Sequence, residues 1–117
     1  HALWREAISL VENGICDAEA VDTVVKSSFG RRLAVLGPLE NADLVGTDLT
    51  LDIHQNVLFD LESHGGTSPY LQNMVKRGEL GMKSGKGFHV WTDEAASETR
   101  NRVSKHLQKL EGILKNS

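Results

Sequence analysis

The chain has 117 residues, a formal net charge of −3 and 25% charged residues, with a pI near 5.9. That length builds one domain with a modest core and is too short for a cofactor domain beside a substrate domain. The acidic balance with dispersed cations excludes nucleic acid as the main partner, and no apolar run approaches the ~20 residues of a membrane helix.

Residues 1–14 predict an amphipathic helix, with Leu3, Ala7, Leu10, Val11 and Gly14 on one stripe and Trp4 and Ile8 beside it. No Ser, Thr, Asp or Asn precedes this helix. A start without a cap predicts that the chain continues upstream of His1. Gly14 stops the helix, and Asp17 caps a second one to about Ser28, with Ala20, Val21, Val24 and Val25 facing inward. A linking segment from Gly30 to Leu36 carries Arg31 and Arg32 and ends at Gly37-Pro38.

Pro38 suits the first turn of a short helix, where its missing N–H costs nothing. That helix should reach Val45 and break at Gly46. Thr47 or Asp48 caps the next, which carries Leu51, Val57, Leu58 and Leu61 and is expected to end at Gly65-Gly66. Ser68 and Pro69 open another helix through Met74 to Arg77. A last helix, capped by Thr92 or Asp93, places Val103, Leu107, Leu110 and Leu114 at helical spacing. The fold class is all-α, with five or six helices.

Between the last two helices lies the densest signal, residues 77–91, with Gly78, Gly81, Gly85 and Gly87 inside ten residues. Such glycine density demands repeated turns, with positive φ at some positions. Phe88 and Val90 alternate with His89 and Trp91, which predicts a short extended hook. A phosphate cradle fails on spacing: Lys83-Ser84 follows Met82 rather than a glycine, and no buried strand precedes the glycines.

Chemistry-bearing clusters are sparse. The histidines at 1, 54, 64, 89 and 106 show neither H-x-x-x-H nor H-E-x-x-H spacing, so no metal site is expected. No G-x-S-x-G elbow is present. A single cysteine, Cys16, rules out an internal disulfide and reads as a small packed hydrophobe in a reducing, cytoplasmic setting. Glu40 and Asp43 share a helix face, and the plainer reading makes them helix-start acids that complement the dipole. Arg31 and Arg32 sit in an otherwise apolar connection, where one guanidinium is suited to a carboxylate or phosphate.

Two motifs carry a resemblance. Gly37-Pro38-Leu39-Glu40-Asn41-Ala42-Asp43-Leu44-Val45-Gly46-Thr47-Asp48 resembles the G-P-F-E-L-x-D-x-x-G-L-D signature of the 3-hydroxyacyl-CoA dehydrogenases. The glycine hook resembles their G-x-x-G-x-K-x-G-x-G-F-Y-x-[WY] ending, with Leu39 in place of Phe and His89 in place of Tyr. Residues 5–8 with Asn13-Gly14, and Asp17 through Thr23, look like the first two helices of the same C-terminal domain.

The resemblance implies a helical domain of the kind that closes 6-phosphogluconate dehydrogenase, over residues 1–91; residues 92–117 read as a helical extension beyond the part it matches. It implies that NAD and a catalytic His–Glu pair belong to a preceding Rossmann domain, so this chain holds no catalytic, cofactor-binding or metal-binding residue. What it holds by resemblance is one side of the substrate cleft, lined by Arg32, Gly37, Pro38 and Glu40, and most of a homodimer interface. The substrate implied is a 3-hydroxyacyl-CoA or a 3-hydroxy acid. By the same resemblance, the connection from Thr23 to Gly37, with its form Gly30 to Pro38, is about three residues longer than in short-chain acyl-CoA enzymes. In that it looks like relatives acting on free acids, such as L-gulonate dehydrogenase and lambda-crystallin, which have an arginine at the position of Arg32. The competing expectation is a stand-alone helical interaction module without catalytic activity.

Overall fold

The computed structural model describes residues 1–116, which fall into two compact units, the first spanning His1–Ser68 and the second starting at Pro69. Among the described residues there are six α-helices and only isolated β-bridges. The fold is all-α.

In the first unit, α1 (Ala2–Glu12) starts at His1 without a side-chain cap. It ends through Asn13, and Gly14 takes φ +68°, a left-handed exit natural to glycine. Helix α2 (Ala18–Ser27) is capped as expected, Asp17 Oδ1 accepting the Ala20 N–H at 2.8 Å. The inward face of α2 is narrower than its apolar residues suggested. Val21 is buried, and Ala20 and Val25 are half-buried, but Val24 is 63% exposed. After a 3-10 turn at Phe29–Arg31 comes α3 (Pro38–Val45), with Pro38 in its first turn.

Helix α4 (Thr47–Val57) departs from expectation at both ends. The cap position is Gly46, which has no side chain to offer, and Thr47 and Asp48 already lie within the helix. At the far end α4 stops at Val57 and passes through a 3-10 turn at Leu58–Asp60 into extended backbone at Leu61. The cause is tertiary. Glu62 accepts a hydrogen bond from Ser9 Oγ on α1 at 3.4 Å and another from the His64 N–H at 2.9 Å. Both need residues 61–64 off the helix axis.

In the second unit, α5 (Pro69–Lys76) buries Met74, and α6 (Asp93–Lys115) buries Ala96 near its start. Of the two candidate caps for α6 it is Thr92 that acts, its hydroxyl oxygen accepting the Ala95 N–H at 3.0 Å. Beyond its first turns α6 is exposed on all sides except at Leu110, and Val103 and Leu107 stand on the surface.

Among the described residues only Val21, Met74 and Ala96 are buried hydrophobes, while Phe59 is 82% exposed and α4 buries no residue. Large apolar side chains stay exposed in each unit, Trp4, Leu39 and Leu44 in the first and Val75 and Val90 in the second.

Candidate functional site

The residues expected to line a substrate lie on one continuous turn of the first unit. Arg32 follows the 3-10 turn, its N–H donating to the Phe29 carbonyl at 3.1 Å. Its own carbonyl accepts from Val35 N–H at 3.0 Å and Leu36 N–H at 2.8 Å. Residues 32–36, read from sequence as a plain link, are therefore a closed turn. The side chains of Arg31 and Arg32 are both exposed, and the Arg32 guanidinium has no ion pair or hydrogen bond among the described residues.

Gly37 then caps α3 and Pro38 opens it. Glu40, at the third position of the helix, reaches back so that its Oε1 accepts the Gly37 N–H at 2.9 Å. This is the glutamate half of a capping box; glycine cannot supply the other half. A Cβ on residue 37 would stand 3.1 Å from that same Oε1, a tight contact that a shift of a few tenths of an ångström in the glutamate side chain would relieve. One oxygen of Glu40 is thus committed to the backbone, as the plainer reading of this acid expected.

The glycine hook is held by its own amides. Gly81 N–H donates to Lys86 O, Ser84 N–H to Gly81 O, Gly85 N–H to Met82 O, Gly87 N–H to His89 O and Trp91 N–H to Gly85 O. Ser84 Oγ accepts the Leu80 N–H at 2.8 Å and lies 2.9 Å from Lys86 O, to which it donates. The N–H groups of Leu80, Gly81, Ser84, Gly85, Gly87 and Trp91 are thus paired inside the loop and are not free to hold a phosphate. Positive φ occurs at Gly78, Gly81 and Gly85, and the ring of Phe88 stacks on Tyr70 of α5 at 6.3 Å.

Sequence reading missed the charge lock on this hook. Glu79 pairs with Arg77 at 3.0 Å and with Lys86 at 3.4 Å. The Arg77 guanidinium, by its hydrogen bond, holds the Glu79 carboxyl below its ordinary value of 4.5. The His64 backbone N–H does the same for Glu62. The sign follows: a carboxyl lowered on folding stabilises the fold above about pH 4.5, and that stabilisation is lost as pH falls through the lower folded value. Thermal melts of the full-length protein in acid should therefore show wild type losing its advantage over Glu79→Gln as pH drops below about 4.5. Parallel melting curves at all pH values would contradict the lock. The only sequence hint was the spacing of Arg77 and Glu79; Lys86 meets them only because the hook turns back.

Comparison with known proteins agrees with the motifs. The family described as 3-hydroxyacyl-CoA dehydrogenase, C-terminal domain, matches residues 1–91. The chain belongs to this family. It is 31% identical over 114 residues to the 5-formyl-3-hydroxy-2-methylpyridine 4-carboxylate 5-dehydrogenase of Mesorhizobium japonicum, covering 97% of this chain and 37% of that protein. It is 40% identical over 87 residues to a 3-hydroxybutyryl-CoA dehydrogenase of Mycobacterium tuberculosis, covering 73% of this chain and 29% of the relative. A solved structure of a 5-formyl-3-hydroxy-2-methylpyridine 4-carboxylic acid 5-dehydrogenase, described as an NAD+-dependent dismutase, superposes with a TM-score of 0.92. Its sequence is 31% identical, and the match covers 97% of this chain and 37% of that one.

The chain therefore spans between 29% and 37% of the length of these relatives. A match to 97% of it takes in most of α6, which lies beyond the family's residues 1–91. Among the described residues, no helix is long and apolar enough to cross a membrane and no cluster of three metal-ligating side chains occurs.

Proposed function

We propose that this chain supplies the substrate-cleft and dimerisation part of an NAD-dependent dehydrogenase. The complete enzyme oxidises a 3-hydroxy group, on an acyl-CoA or a free hydroxy acid, to the 3-keto group. The observation that carries the reading is the family match over residues 1–91, which contains both the Gly37–Asp48 motif and the hook. NAD belongs, in this reading, to the portion of the relatives' length that the chain does not cover, because this chain has no G-x-G-x-x-G fingerprint between a strand and a helix. The cofactor accepts the hydride; the residues in hand bind and orient the other reactant. Arg32, with an exposed guanidinium, meets the anionic end of the substrate, and the Gly37-Pro38 turn and Glu40 shape the wall beside it. A cytoplasmic setting completes the reading, on the strength of one half-buried cysteine. Titration of NADH into the full-length protein should give one saturable site per chain; a full-length protein that binds no NADH would overturn the assignment.

The homodimer rests on the exposed apolar surface of helices α1, α2 and α4. Leu49, Ile53 and Val57 recur every four residues along α4, and Leu3 and Trp4 stand out on α1. An isologous contact presents the same patch from both copies, so one charged substitution enters the interface twice. Light scattering on the full-length protein should give a dimer for wild type and a monomer for Leu49→Glu/Ile53→Glu. An unchanged mass would place the interface elsewhere.

A further inference from the structure

We infer that Glu40 is a positioning residue for Arg32, acting on the backbone of the turn rather than on the substrate; this rests on the role proposed above for Arg32. The geometry that points to it is a turn fastened at two ends. At the upstream end the Arg32 carbonyl accepts the Val35 and Leu36 N–H groups. At the downstream end the very next N–H, that of Gly37, is held by Glu40 Oε1 at 2.9 Å. The consecutive N–H groups of Val35, Leu36 and Gly37 thereby link the Arg32 carbonyl at one end to a side chain of α3 at the other. Asn41 N–H donates to the Gly37 carbonyl at 2.9 Å, so Gly37 is gripped on both its backbone groups.

Without the Glu40 carboxylate the Gly37 N–H loses its partner, and Gly37 has no side chain with which to replace the lost contact. The turn can then rotate about residues 36–37, and it carries the Arg32 backbone with it. Among the described residues Arg32 has no ion pair to hold its head in place. Its direction therefore depends on its backbone, which Phe29 holds from upstream and Glu40, through the turn, from downstream. A guanidinium recognises a carboxylate or phosphate by a planar fork, and a small misdirection of that fork loses the paired contact. Glutamine keeps an oxygen at the end of the same side chain and can still accept from Gly37 N–H.

The test is a double-mutant cycle in the full-length enzyme, read as KM for the hydroxy substrate beside KM for NAD. Glu40→Ala is expected to raise the substrate KM by about threefold to tenfold without exceeding the effect of Arg32→Ala. Glu40→Gln is expected to recover most of that loss, and neither variant should move the NAD KM. Combined with Arg32→Ala, Glu40→Ala should add nothing further, because residues acting through one another are not additive. Three results would overturn the inference: additive effects, a wild-type KM in Glu40→Ala while Arg32→Ala is impaired, or failure of glutamine to rescue. If Arg32→Ala itself is unimpaired, the positioning role falls with it, while NADH binding by the full-length protein still tests the dehydrogenase assignment separately.

Discussion

Gly87→Ala should destabilise the hook by about 3 kcal/mol or more, among the larger effects a single methyl group can have. An added Cβ at residue 87 would lie 2.8 Å from Gly81 Cα and 3.1 Å from Gly81 N. Those are backbone atoms, with no flexible side chain able to swing aside. The collision would force apart the strand-like crossing in which Gly81 pairs with Lys86 and Lys86 with Val90. With it would go the Gly81 N–H to Lys86 O hydrogen bond. Gly81→Ala works differently: nothing lies within 4 Å of its added Cβ, but φ +88° and ψ −147° is a region that only glycine enters without strain. Its cost is strain alone, about 1–3 kcal/mol. Gly14→Ala, in open space at φ +68°, should cost least, about 1–2 kcal/mol. Hydrogen exchange of the amides of residues 81–91 in the full-length protein ranks the two hook variants, and thermal melts compare Gly14→Ala with them. Equal protection in Gly87→Ala and wild type would mean the close approach is not real.

Arg32→Ala should raise the substrate KM of the complete enzyme about tenfold or more, from the loss of a charge-assisted pair of ~1.5–3 kcal/mol at 1.4 kcal/mol per decade. NAD affinity should stay as it was, because no residue of this chain is assigned to the cofactor. Arg31 is also exposed, yet it is the last residue of the 3-10 turn rather than the start of the turn fastened to α3. Its replacement by alanine should leave both KM values near wild type. Steady-state kinetics of the two variants side by side decide the matter. Wild-type behaviour in both would make Arg32 a solvated charge.

What the sequence made legible is the local part of the fold. Asp17, Pro38 and Thr92 mark helix starts through contacts within three residues of themselves, so the pattern alone is enough. Gly46 and the hook glycines are legible for the same reason: their backbone angles are their own. The end of α4 was not legible, because it is fixed by Ser9 and Glu62, which are 53 residues apart. Val24 has the right spacing for the inner face of α2 and still lies outside, since periodicity shows which residues share a stripe and not how wide a stripe is covered. The glutamate cap at Glu40 follows the familiar three-residue interval, but glycine at the cap position hides the usual Ser or Thr signal. The charge lock of Glu79 with Lys86 waits on the fold of the hook itself.

The apolar surface left open on α1, α3 and α4 is also beyond a sequence pattern, which cannot tell a core face from an interface face. Leu39 and Leu44 on α3 are apolar and exposed, although the motif that contains them is one of the two by which the family is known.

The most direct measurement is NADH formation by the full-length protein, with a 3-hydroxyacyl-CoA and with a free 3-hydroxy acid as alternative substrates. Saturable, NAD-dependent oxidation of at least one of them is predicted, with a rise in that substrate's KM in Arg32→Ala. A folded full-length protein that produces no NADH from either class would contradict the account.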